Sequence, residues 1–224
     1  MKLRHEYKFP ISETDIQVLR MRLGAVLQRD KYTMADGRYR VRSLYFDNLY
    51  DKALLEKLDG LQYREKFRIR LYNGDHSFIM LEKKSKYNNL SRKLQTRLRY
   101  DEVAQLIEGH TDWMPLRGDP LINELHARMK NDLLRPQTVV EYLREPFTYP
   151  AGNVRITIDS DIRTGILSKA FLDPDLTLLE AAPGEAVLEV KYDEYLPDLI
   201  RGLVNLGTRR ASSFSKYAVS RRFG

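Results

Sequence analysis

Residues Tyr63 to Lys86 read YREKFRIRLYNGDHSFIMLEKKSK, and the organisation of the chain follows outward from this stretch. Between Arg64 and Tyr72 the side chains alternate strictly. Arg64, Lys66, Arg68 and Arg70 share one parity, and Glu65, Phe67, Ile69 and Leu71 share the other. A period of two marks a β-strand, here with one basic face and one largely apolar face. Asn73-Gly74-Asp75 supplies turn residues, and Phe78 to Lys84 forms a second run, so a β-hairpin is predicted. A single charge alternation usually means only a solvated strand face. This one recurs along the chain.

Toward the N-terminus, Met1 to Phe9 predicts a strand ended by Pro10. Leu3, His5, Tyr7 and Phe9 form its apolar-aromatic face, and Arg4, Glu6 and Lys8 its charged face. Ser12 suits the N-cap of a helix running to about Leu27, with Ile16, Leu19, Leu23 and Val26 as its apolar stripe. Arg38 to Asp47 predicts another strand, with Arg38, Arg40 and Arg42 on a parity that Leu44 and Phe46 continue. Tyr50 to Leu58 reads as a short helix or an irregular link.

Toward the C-terminus, Ser85 to Ser91 reads as a polar loop. Arg92 to Tyr100 resumes the alternation, with Lys93, Gln95, Arg97 and Arg99 in phase. Helices are predicted over Asp101–Gly109 and Leu121–Leu134. The second has a stripe of Ile122, Leu125, Met129 and Leu133 and is stopped by Pro136, and Trp113 between the two has a packing role. Strands follow over Gln137–Phe147, Val154–Ile162 and Ala186–Tyr192. They present Glu141, then Arg155, Thr157 and Asp159, then Glu189 and Lys191. A helix over Leu196–Leu206 and a last one capped by Ser212 complete the chain.

The length of 224 residues fits a single domain over 1–224 with a real core. Its 42% hydrophobic and 31% charged content matches a soluble globular protein and excludes a disordered one. No apolar run approaches the roughly 20 residues needed to span a bilayer, and no signal segment opens the chain, so a cytoplasmic protein is expected. The absence of cysteine excludes disulfides and thiolate metal sites. A net charge of +7 calls for an anionic partner.

Seven or eight mostly antiparallel strands, each charged on one face, predict an α+β fold. The expected architecture is a closed antiparallel β-barrel with a charged lumen and flanking helices that bury its apolar outside. Such a lumen would repel itself without a bound polyanion, water and some carboxylates. An exposed basic sheet binding nucleic acid is the competing arrangement. It would interleave aromatics for base stacking, and the Arg64–Arg70 face has none before Tyr72, so no nucleic-acid partner is expected.

Several segments in order resemble one family: EYKF near the start, SLYFDN at Ser43–Asn48, FRIRLY, LEKKSK, LRPQTVVEYLREPF, RITIDSDI, AVLEVK and FSKY. The chain resembles the VTC domain, the polyphosphate polymerase module of the vacuolar transporter chaperone complex, within the triphosphate tunnel metalloenzymes. The resemblance implies a tunnel barrel that binds ATP, triphosphate and polyphosphate with a divalent cation, Mn²⁺ or Mg²⁺. It implies phosphate contacts at Lys8, Arg68, Arg70, Lys84, Arg144, Arg155, Lys191, Ser215 and Lys216, with Lys93 and Arg97 as candidates on the next strand. Glu189 matches the metal-binding glutamate, and Glu6 is the secondary metal candidate. Lys8, Arg68, Arg70 and Glu189 are the expected catalytic set.

The first strand departs from the hydrolase branch of that superfamily. The pattern ExExK becomes RxExK at Arg4, Glu6 and Lys8, which weakens a second metal site and favours a polymerase. Phosphoryl transfer asks the protein mainly for positioning and charge compensation. Arg offers phosphate a planar fork and Lys a point charge, while hard cations take carboxylate oxygens. The four histidines lack metal-like spacing, and Arg4, Glu65 and Lys83 fall outside the family positions, suiting surface or salt-bridge roles. The expected function is an ATP-dependent polyphosphate polymerase. The alternatives are a triphosphate or nucleoside triphosphate hydrolase of the same fold and a non-catalytic polyphosphate-binding module. A membrane-associated partner protein is compatible with the resemblance.

Overall fold

A computed structural model describes residues 4–30, 32–87, 90–165, 168–207 and 209–223. Met1 to Leu3 of the predicted first strand lie outside the described residues. In chain order the elements are β1 (His5–Ile11), α1 (Glu13–Gly24), β2 (Gln28–Arg29), β3 (Tyr39–Asp47) and α2 (Lys52–Leu58). The hairpin β4 (Tyr63–Tyr72) and β5 (Asp75–Tyr87) precedes β6 (Leu90–Leu98), α3 (Tyr100–Ile107), α4 (Trp113–Leu116) and α5 (Pro120–Asn131). Then come β7 (Arg135–Tyr149), β8 (Val154–Gly165), β9 (Leu179–Glu180), β10 (Ala186–Tyr192), α6 (Asp198–Val204) and α7 (Lys216–Ser220).

The chain forms two compact units. The first takes Met1–Arg40, Tyr142–Ile162 and Ala182–Lys216, and the second Val41–Glu141, Arg163–Ala181 and Tyr217–Gly224. In the first, strands lie in the order β1-β10-β8-β7, with β2 on the outer part of β7. Lys8 pairs with Glu189 and Glu189 with Thr157, so the charged parity is continuous across three strands. The opposite parity (Phe9, Val190, Leu188, Ile156 and Ile158) packs against Leu19 and Leu23 of α1 and Ile200 of α6. Ser12 caps α1 as predicted. Its hydroxyl accepts from the Asp15 backbone N–H at 3.3 Å while the Asp15 carboxylate accepts from the Ser12 N–H at 2.9 Å.

In the second unit the order is β7-β3-β4-β5-β6. Three rows cross β4, β5 and β6: Lys66–Lys84–Lys93, Arg68–Glu82–Gln95 and Arg70–Met80–Arg97. Phe67, Ile69, Leu71, Ile79 and Leu81 occupy the other parity and bury against α3, α4 and α5 through Val103, Leu106, Met114, Ile122 and Leu125. Trp113 packs on the edge of this core. Asp119 caps α5 from the N–H groups of Leu121 and Ile122, with Pro120 at the first helical position.

Several sequence expectations change. The strand path has two ends, β1 and β6, which do not pair among the described residues, so hydrogen bonding does not close a barrel. At β1, the Lys8 carbonyl instead accepts from the Ser212 N–H at 2.8 Å. No helix starts at the predicted Ser212: residues 209–215 run without helix, and α7 begins at Lys216. Pro10 does not stop β1, because an edge strand tolerates a residue without an N–H. The loop expected over Ser85–Ser91 is mostly strand, since the hairpin runs to Tyr87 and β6 starts at Leu90; residues 88 and 89 lie outside the described ones. Leu133 leaves the α5 stripe: its φ of 54° ends the helix and leaves it exposed. Val26 likewise falls beyond α1 and is exposed, and Leu27 is the buried residue there.

Arg42 is a further correction to the basic parity of the third strand. It shares the apolar side with Leu44 and Phe46 and is buried, donating to Glu141 at 2.7 Å and to the carbonyl of Phe171 at 3.2 Å. Ser43, Tyr45 and Asp47 hold the polar side instead. Among the described residues no helix is long and apolar enough to cross a membrane.

Two glycines with the same backbone angle should respond differently to alanine. Gly74 has φ of 72° with nothing near a new Cβ, so Gly74→Ala should cost about 1–2 kcal/mol from the left-handed conformation alone. Gly152 also has φ of 72°, but its Cβ would meet the Tyr195 carbonyl at 2.5 Å. Urea denaturation of both variants should show the larger loss for Gly152→Ala.

Candidate functional site

On the first unit's polar face, β1, β10, β8 and β7 gather cations around two buried carboxylates. The Glu189 side chain is 7% exposed and lies 2.9 Å from Lys191, 3.5 Å from Lys8 and 3.6 Å from Arg144. Glu6 reaches the same two lysines, at 3.5 Å from Lys8 and 3.7 Å from Lys191. Asp159, fully buried, takes both ends of the Arg144 fork at 2.6 and 2.7 Å and the Lys216 ammonium. The Lys216 ammonium also sits 4.6 Å from the centre of the Tyr142 ring.

The electrostatics follow from this crowding. Burial pushes the Glu189 carboxyl up, but Lys191, Lys8, a hydrogen bond with Glu6 and Arg144 outweigh it and hold Glu189 well below the usual carboxylate range. Burial likewise opposes ionisation of Asp159, and Arg144 and Lys216 outweigh it. Both carboxylates are therefore charged at neutral pH. The cations around them are held in place by these pairs.

On the second unit's polar face, Glu82 plays the same part. It is 2% exposed and accepts from Arg68 at 2.7 Å, with Lys93 at 3.3 Å and Arg70 at 3.8 Å. Arg68 also donates to the Tyr45 hydroxyl at 3.0 Å, and Arg70 to the Ser43 hydroxyl at 3.1 Å. Burial raises Glu82, and Arg68, Arg70 and Lys93 together pull it far below the usual range.

The sequence-predicted residues thus fall into two groups. Lys8, Glu6, Arg144, Glu189, Lys191 and Lys216 meet in the first unit, with Ser215 directly before Lys216. Arg68, Arg70 and Lys93 meet on Glu82 in the second, and Lys84 stands in the row between Lys66 and Lys93. Of the two candidates on β6, Lys93 joins the cluster. Arg97 is held at the turn end of the hairpin by the Ser77 carbonyl and the Phe78 ring. Thr96 lies on the helix side, bonded to Asp119. Arg155 aligns with Lys191, but its guanidinium reaches Asp30 at 3.0 Å and the Tyr39 hydroxyl at 3.1 Å. As expected, Arg4 pairs with Asp193 at 2.9 Å and Lys83 with Glu65 at 2.6 Å, off the clusters. Glu82 and Asp159 were not singled out by sequence. The available signal was a lone acid on a basic parity, Glu82 in phase with Lys84 and Asp159 in phase with Arg155.

No group of three or more His, Asp and Glu side chains is arranged to hold a metal among the described residues. Glu6 and Glu189 form a smaller donor set, two carboxylates meeting over shared lysines. That chemistry fits a hard cation which takes its remaining ligands from phosphate oxygens.

Removing the buried acid tests the second cluster. Glu82→Gln should cost about 3–5 kcal/mol in urea denaturation at pH 7, because Arg68 and Arg70 lose their counter-charge. Its pKa is depressed in the folded protein, so its contribution is present above the usual value of 4.5 and lost as pH falls below it. The variant should show a flatter loss of stability on acidification than the parent.

The fold and family are shown by comparison with known proteins. A solved structure from Pyrococcus horikoshii OT3, the PH1819 protein, matches 99% of this chain and 99% of its own at 12% identity, with a TM-score of 0.50. A Hippeastrum protein described as a candidate adenylyl cyclase with a dominant triphosphatase activity matches 99% of this chain and 95% of its own at 15% identity, also with a TM-score of 0.50. At these identities the likeness is one of fold. No curated protein matches the sequence. The family model of the VTC domain matches residues 3–223, nearly the whole length. The chain belongs to the VTC domain family.

Proposed function

We propose that this protein is an ATP-dependent polyphosphate polymerase and that its two units act as one domain. The observation that carries the reading is the first-unit cluster: four cations, Lys8, Arg144, Lys191 and Lys216, held on one strand face by Glu6, Glu189 and Asp159. A polyanion that displaces these internal pairs finds cations already oriented. Arg4 supports polymerase over hydrolase, because the position that carries a carboxylate in the hydrolase branch carries here an arginine engaged with Asp193.

In the proposed reaction a terminal oxygen of the growing polyphosphate attacks the γ-phosphorus of ATP. The bond from that phosphorus to the bridging oxygen breaks, and ADP leaves with the electron pair. Lys8, Arg144, Lys191, Lys216 and Ser215 contact phosphate oxygens in the first unit, and Arg68, Arg70, Lys84 and Lys93 in the second. Arg155 and Arg97 are reserve contacts, since each must first leave its present partners. The protein supplies position and fixed positive charge where negative charge develops. Glu189, with Glu6 beside it, would hold Mn²⁺ or Mg²⁺, which when bound supplies further charge neutralisation at the phosphates. ATP, triphosphate and polyphosphate are the proposed ligands.

Labelled ATP with Mn²⁺ tests the reading. The parent should convert the γ-label into polyphosphate; release of orthophosphate alone would identify a hydrolase, and binding without turnover a binding module. Glu189→Gln should abolish metal-dependent turnover while metal-free polyphosphate binding persists or tightens, because a negative charge has left the site. Arg70→Ala should weaken binding and turnover together by about tenfold or more, since one contact serves ground state and transition state alike. Turnover unaffected by Glu189→Gln would move the metal assignment to Glu6.

A further inference from the structure

Lys66 differs from Arg68, Arg70 and Lys93 on the second unit's polar face, which share one buried acid. It lies in β4 directly opposite Lys84 of β5, which lies opposite Lys93 of β6, so three lysines form one cross-strand row with no acid in it. Like charges in such a row repel. Arg68, Arg70 and Lys93 share Glu82. Lys66 makes no ion pair among the described residues; its recorded contact is with the face of the Tyr217 ring, 4.9 Å from its ammonium.

Asp47, the acid of the neighbouring strand that acts on Lys66 electrostatically, is already committed. One oxygen of Asp47 accepts from the backbone N–H groups of Asn48 and Ala53, both at 2.9 Å. The other accepts from Leu54 N–H at 3.1 Å and the Tyr217 hydroxyl. With four donors on it, Asp47 anchors α2 and orients Tyr217, and it offers Lys66 no direct bond. A half-buried ammonium in a basic row, backed by an aromatic ring and with no direct carboxylate bond among the described residues, offers a position to an external anion.

The geometry points to Lys66 as a further phosphate-binding residue, which makes polyanion affinity fall in alkaline solution. This deepens the proposed function and rests on it, since the ligand is the same phosphate chain. The charged and titratable groups around Lys66 are Tyr45 and Asp47 of β3, Arg64 of β4, Lys84 of β5, Glu56 and Lys57 of α2 and Tyr217 of α7. Burial is the largest influence and lowers the Lys66 pKa to about 8, with Arg64 and Lys57 adding to it and Tyr45 and Asp47 opposing. Phosphate binds the protonated form and raises that pKa. Affinity is therefore greatest below pH 8 and declines above it by up to about tenfold per pH unit. Inorganic triphosphate sheds its last terminal proton in the same range, which favours binding as pH rises; that change is common to every variant and cancels when variant and parent are compared at one pH.

The test is isothermal titration of the full chain with tripolyphosphate at pH 7 and pH 9, without divalent metal. Burial also lowers Lys191 and Lys216, so the parent's decline has several sources and variants isolate this one. Lys66→Arg keeps a charge that does not titrate. It should bind like the parent at pH 7 and several-fold tighter than the parent at pH 9. Lys66→Met should bind more weakly at pH 7 and lose less between the two. If Lys66→Arg declines as steeply as the parent, or Lys66→Met matches the parent at pH 7, the inference fails while the proposed function stands. If the parent does not bind tripolyphosphate at all, both fail.

Discussion

Cations can share a β-sheet face only if their mutual repulsion is offset, and buried carboxylates provide that offset here. Glu82 sits among Arg68, Arg70 and Lys93, and Asp159 between Arg144 and Lys216. Each acid is almost wholly inaccessible, so each is costly to ionise alone and strongly held once its cations surround it. The arrangement gives a folded protein without ligand whose cations remain aligned. Without these acids, rows such as Lys66–Lys84–Lys93 would set the character of the whole face.

The apolar parities supply the complementary requirement. A strand with one charged side must bury its other side, and both units do so with helices, α1 and α6 in one and α3 to α5 in the other. Arg42 shows how strictly the division is kept. Having fallen on the apolar side, it is buried with Glu141 and two backbone carbonyls and is withdrawn from any ligand. Charge and apolar packing are thereby separated onto opposite parities of the same strands.

Within the polar faces, the pairs also distinguish cations that are ready from those that are engaged elsewhere. Lys8, Arg144, Lys191 and Lys216 are paired with carboxylates on their own strand face, where the proposed function would exchange those carboxylates for phosphate. Arg155 and Arg97 each have partners away from the clusters, Asp30 and Tyr39 for one and the Ser77 carbonyl for the other. Like charge and like parity do not make them equivalent.

Much of this was legible in the sequence. The period-two alternation of Tyr63–Lys86 determined the hairpin and which of its residues face core or solvent, because successive side chains of a strand must point to opposite faces. The same rule placed Glu6 with Lys8 and Glu189 with Lys191, and helical spacing located α1 and α5. Tertiary structure decided the rest. Whether the sheet closes depends on edges that meet or are capped, as the Ser212 bond to Lys8 caps β1, and Leu133 left its helix because of a single backbone angle. The partners of Arg42 and Arg155 come from strands and loops distant in sequence, and those of Glu82 and Asp159 depend on the register of neighbouring strands. Parity assigns a side chain to a face but carries no information about which opposite charge will lie within reach of it.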